Sequence, residues 1–257
     1  MLEKVIHLIT PGIDSICSYF YIIENKPRID LKLIHVPIAS YKDQEIRCLQ
    51  NLSKHLKHQV KFLDADLYTI KEEKDGFIPS RNLLLATLID SSRQIDHKES
   101  NYISFSFTSD DRVYDSTSEF CENVSKVLSG KTRIGSEVRH MSKGELLNWF
   151  LNKSLSNTND MKKEIILNTF SCYTPVGDRY SPVECLNCNA CFRKSVVLHS
   201  AGLATRSIGE TFLRTRLNIL KETIPQERKD NIVNYVRSLV EQSLISKDFE
   251  LLIGETK

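Results

Sequence analysis

The chain has 257 residues, 40% hydrophobic and 26% charged, a globular composition that can bury one substantial core or two small ones. Its 35 basic and 33 acidic residues leave a formal charge of +2 with no long block of either sign, which argues against a nucleic-acid binder held by broad electrostatics. No window approaches the roughly 18 apolar residues of a membrane span. The opening MLEKVIHLITPGIDS breaks its apolar run at Pro11, Gly12 and Asp14, so the expectation is a soluble, cytoplasmic protein.

The first half alternates short β-type runs with helical periods. KVIHLI (4–9) reads as a strand, followed by a helix in which Ile13, Ile16, Cys17 and Phe20 share a face. LKLIHVPI from Leu31 is a second strand, and DQEIRCLQNLSKHL carries Ile46, Leu49, Leu52 and Leu56 at helical spacing. QVKFLDA (59–65) is a third strand before a helix at RNLLLATLIDSSRQI. NYISFSF (101–107) is a fourth, and Phe120, Val124, Val127 and Leu128 mark the next helix. A fifth strand within TRIGSEVRH precedes a helix opened by Ser142 and Glu145 as a capping box. Strand-helix pairs of this length imply parallel strands joined by right-handed crossovers, a doubly wound α/β sheet. Ligands in such sheets sit beyond the carboxyl ends of the strands, here the loops after Ile9, Val36, Leu63 and Phe107. The chain is helical after Lys194. One stripe is Phe212, Leu213 and Leu217; another, beyond Pro225, is Ile232, Val233, Val236, Leu239 and Val240. Either the core or a second subunit, in a homodimer, can bury them.

Seven cysteines are an odd number, and Cys17, Cys48 and Cys121 fall in amphipathic helical patterns as simple buried thiols. Cys172, Cys185, Cys188 and Cys191 are spaced C-x12-C-x2-C-x2-C, which in a reducing compartment reads as metal rather than disulfide. Four thiolates close a tetrahedral shell around Zn²⁺ and leave no place for water, so that metal is structural.

Four other stretches carry chemistry. In ITPGIDS (9–15) a strand hands over to a helix, where backbone amides and the Ser15 hydroxyl suit an anion such as pyrophosphate and Asp14 suits a magnesium ion. The same pattern also describes an ordinary capped turn, and one glycine does not make a phosphate loop. In FIPSRNLLL (77–85), Arg81 and Asn82 stand at the mouth of an apolar helix. Arg81 either neutralises an anion or lies on a solvated first turn capped by Ser80, and the unfavourable placing of Arg at a helix N-terminus favours the first. TSDDRVYDSTSEF clusters Asp110, Asp111, Asp115 and Glu119 after a strand end, either solvated or facing a ligand. Lys143 in MSKGEL either meets a developing negative charge or is a surface residue. The seven histidines lack ligand spacing; His7 and His35 read as strand residues and the rest as surface.

Together these stretches resemble the 7-cyano-7-deazaguanine synthase (QueC) family of PP-loop ATP pyrophosphatases. TFSCY (169–173) with CLNCNAC resembles the family's aromatic-Ser-Cys-Tyr element and clustered cysteines, followed by a basic residue at Lys194. IPSRNLLL resembles its Val-Pro-x-Arg-Asn segment, DSTSEF its Asp-x-x-x-Glu-Phe segment and MSKGEL its Ser-Lys-x-Glu helix start. The resemblance implies a ligase that adenylates 7-carboxy-7-deazaguanine with ATP, admits ammonia to give the amide, and activates that amide with a second ATP to form the nitrile. It implies that Thr10, Gly12, Ile13, Asp14, Ser15 and Asn82 bind ATP with Mg²⁺. Arg81 and Lys143 would act on phosphate or acyl-adenylate charge, Asp115 and Glu119 would lie near the deazaguanine, and a structural Zn²⁺ would sit on the cysteines, fixing a loop that walls the site.

The implied division is a PP-loop α/β domain over 1–168, a cysteine segment with its following helix over 169–204 and a helical tail over 205–257. The chain departs from the Ser-Gly-Gly-x-Asp-Ser loop with Thr10-Pro11-Gly12-Ile13-Asp14-Ser15, where proline removes one amide donor. YKDQEIR stands where the family tends to have Tyr-Gly-Gln and a histidine, DSTSEF lacks the family's arginine, and the tail is longer. These departures admit two further readings: a ligase joining the deazaguanine acid to another amine, such as a protein amino terminus, and a catalytically weakened protein that binds nucleotide or a partner.

Overall fold

The computed structural model describes residues 2–63, 65, 72–73, 78–96, 98–129, 131–155, 157–178 and 180–254. Asp64 of the expected third strand, Phe77 of the Arg-Asn stretch and His97 lie outside the described residues. The chain divides into two compact units, Met1–Phe170 with Asp178–Ser181, and Ser171–Gly177 with Pro182–Lys257.

The first unit runs β1 (Glu3–Leu8), α1 (Ile13–Asn25), β2 (Ile29–His35), α2 (Lys42–Ser53), β3 (Val60–Phe62), α3 (Arg81–Asp90), β4 (Ser100–Ser104), a 3-10 turn (Tyr114–Ser116), α4 (Ser118–Val127), β5 (Lys131–Gly135), α5 (Lys143–Asn152) and α6 (Asn159–Leu167). The five strands form one all-parallel sheet in the order β3-β2-β1-β4-β5, as the strand-helix alternation implies. Both faces of such a sheet are covered, and the inner strands β2, β1 and β4 bury most of their side chains, while the edge strands β3 and β5 leave several exposed. On one face Ile6, Leu8, Ile34, Ile103 and Ile134 pack with Ala86 and Ile89 of α3 and Phe120 and Val124 of α4. Elsewhere α1 meets α5 through Phe20 and Phe150, ring centroids 4.9 Å apart.

The expected capping box is present: Glu145 N–H donates to Ser142 Oγ (3.1 Å) and Ser142 N–H to Glu145 Oε2 (2.7 Å). The fourth strand stops at Ser104, short of the expected Phe107, because its partner β5 ends at Gly135. Beyond a last bond from Phe105 N–H to Gly135 C=O (2.8 Å), Phe105 and Phe107 turn inward and stack at 4.7 Å. Helix α6, absent from the sequence reading, is capped by Thr158 and buries Ile165 and Ile166. His55 and His58, expected at the surface, are half-buried: the His55 side chain keeps 9% exposure, and His58 Nδ1 lies 3.1 Å from the Tyr19 hydroxyl.

The strand order turns around at β1, whose neighbours β2 and β4 lead off in opposite directions. That is the switch point of a doubly wound sheet, where the connections leaving β1 and β4 part in opposite directions and where such sheets take their ligands.

The second unit holds α7 (Asn189–Ser200), α8 (Glu210–Arg216), a 3-10 turn (Leu217–Lys221), α9 (Gln226–Glu241) and α10 (Phe249–Gly254). Leu213, Leu217, Ile232, Val236, Leu239 and Val240 of the apolar stripes are buried, with α9 packed on α7 and α10. Tyr235 of α9 meets Phe192 and His199 of α7, so this chain itself covers the stripes. Among the described residues, no helix is long and apolar enough to cross a membrane.

Candidate functional site

In the second unit Val176 and Val183, between Cys172 and Cys185, exchange both backbone hydrogen bonds at 2.9 Å. Leu186 then takes a left-handed backbone (φ 55°) to turn the chain toward Cys188, which caps α7, and Cys191 follows in that helix's first turn. All four Sγ atoms lie within 4.8 Å of one another. A tetrahedral shell with Zn–S bonds of about 2.3 Å needs sulfurs roughly 3.8 Å apart, so the residues fit a metal.

Donors already address the sulfurs: Cys185 N–H to Cys172 Sγ (3.2 Å), and Asn187 N–H (3.3 Å) and the Thr174 hydroxyl (3.2 Å) to Cys185 Sγ. Hydrogen bonds from Cys172 and Cys191 pull the Cys188 thiol far below its ordinary range. Beside the cluster, buried Glu184 accepts from Ser171 N–H (2.7 Å), Lys194 Nζ (3.1 Å) and Arg206. Cys17 and Cys121, in the first unit, are buried, and Cys48 is half-buried.

In the first unit, Gly12 caps α1 and has no side chain with which to satisfy the helix's first amides, those of Ile13, Asp14 and Ser15. The preceding turn spends its own donors internally. Thr10 N–H donates to Ser15 Oγ (2.8 Å), Gly12 N–H reaches Thr10 Oγ1 (3.4 Å), and Pro11 has none. Ser15 is buried, and its hydroxyl also points to Leu8 C=O (3.4 Å). What remains for an anion is the α1 terminus rather than the Ser15 hydroxyl or a ring of loop amides. Ile13 is buried and anchors that terminus, while Thr10 is exposed.

The topology brings Lys143 to Asp14: its ammonium pairs with the Asp14 carboxylate and lies 3.5 Å from Asp111 Oδ1. Lys143 N–H donates to Asp110 Oδ2 (2.8 Å), and Asp111 Oδ2 accepts Thr108 N–H (2.9 Å). Ser109 N–H donates to Met141 C=O (2.8 Å), stitching the loop after β4 to the one before α5. Burial raises the Asp14 carboxyl, and Asp111 and Asp110 add to the rise against the pull of Lys143. Side-chain exposures of 27%, 19% and 23% at Asp14, Lys143 and Asp111 leave the group open to a ligand. Asp14 and Asp111 at the ammonium, with Asp110 on the Lys143 backbone, form an acidic group that suits a divalent cation, and the ammonium suits an anion bound beside it.

The Arg81-Asn82 stretch is built differently from its reading as a Ser80-capped helix. Ser80 adopts a left-handed backbone (φ 52°) and its side chain makes no capping bond. Asp115 does the capping from the 3-10 turn, accepting Asn82 N–H at Oδ2 (3.2 Å) while its backbone carbonyl accepts the Asn82 amide (3.0 Å). Asn82 is therefore buried and Arg81 exposed. Exposed Glu119 on α4 accepts from the Tyr114 hydroxyl (3.4 Å).

Sequence reasoning missed Glu45, in the first turn of α2. Burial pushes its carboxyl up to about 7, with Arg81 pulling down and Glu72 pushing up. The signal available was its place just beyond the carboxyl end of β2. Buried Glu184, next to a metal-type cysteine, was also missed.

A parallel doubly wound sheet with a helix terminus and a Lys-Asp cluster at its switch point, in a chain that also carries a four-cysteine cluster, defines an α/β protein of the PP-loop type. The family model described as "Queuosine biosynthesis protein QueC" matches residues 4–202, and the chain belongs to that family. No curated protein matches the chain. Membership carries a QueC-like role in deazaguanine biosynthesis, the use of ATP and a small-molecule substrate.

Proposed function

We propose that the protein is an ATP-dependent ligase that converts 7-carboxy-7-deazaguanine and ammonia into 7-cyano-7-deazaguanine through the amide. One observation carries this reading: Lys143 is held among Asp14, Asp110 and Asp111 beside the uncapped terminus of α1. A carboxylate oxygen is a poor leaving group, and transfer to the α-phosphorus of ATP turns it into AMP, a good one. Charge then develops on the departing pyrophosphate, which is what preorganised cations and amide dipoles stabilise.

On this reading Gly12 and the α1 amides of Ile13, Asp14 and Ser15 receive the phosphates, with Thr10 at the rim. The carboxylates of Asp14, Asp110 and Asp111 hold Mg²⁺. Lys143 exchanges its carboxylate partners for the anion as charge builds. Arg81, at the mouth of α3, meets phosphate or carboxylate, and Asn82 with Asp115 fixes the start of that helix. Glu119 lies toward the deazaguanine. The cysteines with Zn²⁺ are scaffold, because four sulfurs leave the metal no open position.

Mass spectrometry of a reaction with purified protein, ATP, Mg²⁺, the deazaguanine acid and ammonium tests the product. A nitrile or amide with AMP is the expected result. AMP with neither, and a conjugate when peptides with free amino termini are added, would shift the acceptor from ammonia to another amine. The absence of AMP under all conditions would contradict the ligase reading.

A further inference from the structure

Two buried histidines stand under the anion loop, on adjacent strands. His35, on β2, places Nδ1 2.9 Å from Ile9 C=O, and His7, on β1, places Nε2 3.2 Å from Ser15 C=O. A carbonyl only accepts, so each of those nitrogens carries the proton. His7 Nδ1 is left as the acceptor, 3.4 Å from Ser104 Oγ on β4. Burial lowers both imidazoles, His7 to about 4, so both are neutral near pH 7.

These bonds act on the loop because a peptide unit is planar, so fixing a carbonyl fixes the next residue's N–H. His35 sets the Ile9–Thr10 plane, whose N–H donates to Ser15 Oγ. His7 holds the Ser15–Ile16 plane, and the Ile16 N–H holds Gly12 C=O (3.1 Å), in the plane that carries the Ile13 N–H. Phe170 N–H holds Pro11 C=O (2.8 Å) between them. A loop with a proline in place of a glycine has fewer amides to offer, so the aim of those that remain matters more.

We propose that His7 and His35 are positioning residues whose ring N–H groups fix the two ends of the Thr10–Ser15 turn and so set its affinity for the phosphates of ATP. The proposal rests on the reading that this turn receives those phosphates.

The test exploits side-chain reach: glutamine places its amide nitrogen near imidazole Nε2, and asparagine near Nδ1. Calorimetry of ATP with Mg²⁺ would compare the matched variants His7→Gln and His35→Asn with the crossed variants His7→Asn and His35→Gln, and with His7→Leu and His35→Leu. Melting temperatures would show which variants are folded. Matched variants are expected within about twofold of the parent, and crossed and leucine variants about five- to tenfold weaker. If the leucine variants fail to fold, the matched and crossed pairs, equal in polarity, carry the comparison. Equal binding by matched and crossed variants would reduce the histidines to core filling and overturn the proposal. A parent protein that binds no ATP would instead remove the loop's ligand, and the positioning role with it.

Discussion

The cysteine cluster and the anion end of the sheet solve the same problem, holding like charges close together, by opposite means. At the cysteines four sulfurs converge from one stretch of chain, within 4.8 Å of one another, and as thiolates they are neutralised together by a metal. At the switch point the carboxylates come from α1 and the loop after β4, and their countercharge is one lysine from α5, 129 residues along the chain from Asp14. The first arrangement is closed and suits a scaffold. The second is partly open, and its ion pair can be exchanged for a substrate.

The contrast is broken most severely at the metal. Zinc in about one equivalent is expected in the purified protein, and Cys188→Ser or chelation should unfold the second unit. Binding energies of such sites are on the order of 10 kcal/mol, as much as a domain's whole stability. Metal analysis with circular dichroism measures both, and a metal-free chain with an unchanged melt would end the scaffold role.

Lys143→Met should do the reverse, lowering ATP-dependent turnover by about 10²–10³-fold with little loss of fold. Pyrophosphate release and a melting curve on the same preparation separate the two effects.

A smaller effect is expected at Asp14. Its carboxyl is raised in the folded state, mainly by burial, so the native protein binds that proton more tightly than the unfolded chain does. Stability therefore falls as pH rises through the window above the ordinary 3.8, and the ionised group costs stability at neutral pH. Asp14→Asn should raise the melting temperature at pH 7, with the gain shrinking toward pH 4, while Mg²⁺-dependent ATP binding is lost. A gain independent of pH would contradict the burial argument.

The smallest effect belongs to Asp115→Ala, which removes the cap from α3. About 1 kcal/mol is expected, a fall of roughly 2–4 °C for a unit of this size. An unchanged melt would show that Asn82 holds the helix without it.

What could be read from the sequence follows the same contrast. The sheet was legible because each strand-helix pair carries its own period, and the cysteines because their spacing is local. Asp110 and Asp111 stood out as acids after a strand, but not as partners of Lys143, since only the strand order brings them together. Asp115 was expected near the substrate, and the fold adds a role that the local sequence does not show, capping α3 from the 3-10 turn where Ser80 is turned left-handed. His7 and His35 passed as plain strand residues because a parallel sheet buries both faces, so alternation says nothing about what their nitrogens touch. The overrun of β4 to Phe107 arose because an apolar run does not report where its partner strand stops.

The central claim, that the Thr-Pro-Gly turn with its Lys-Asp cluster cleaves ATP between the α- and β-phosphates on a carboxylate substrate, is tested most directly by isotope exchange between labelled pyrophosphate and ATP. The account predicts exchange in the parent protein that requires both Mg²⁺ and 7-carboxy-7-deazaguanine and disappears in Lys143→Met. Exchange in Lys143→Met at the parent's rate, or none in a folded, metal-replete parent protein, would contradict it.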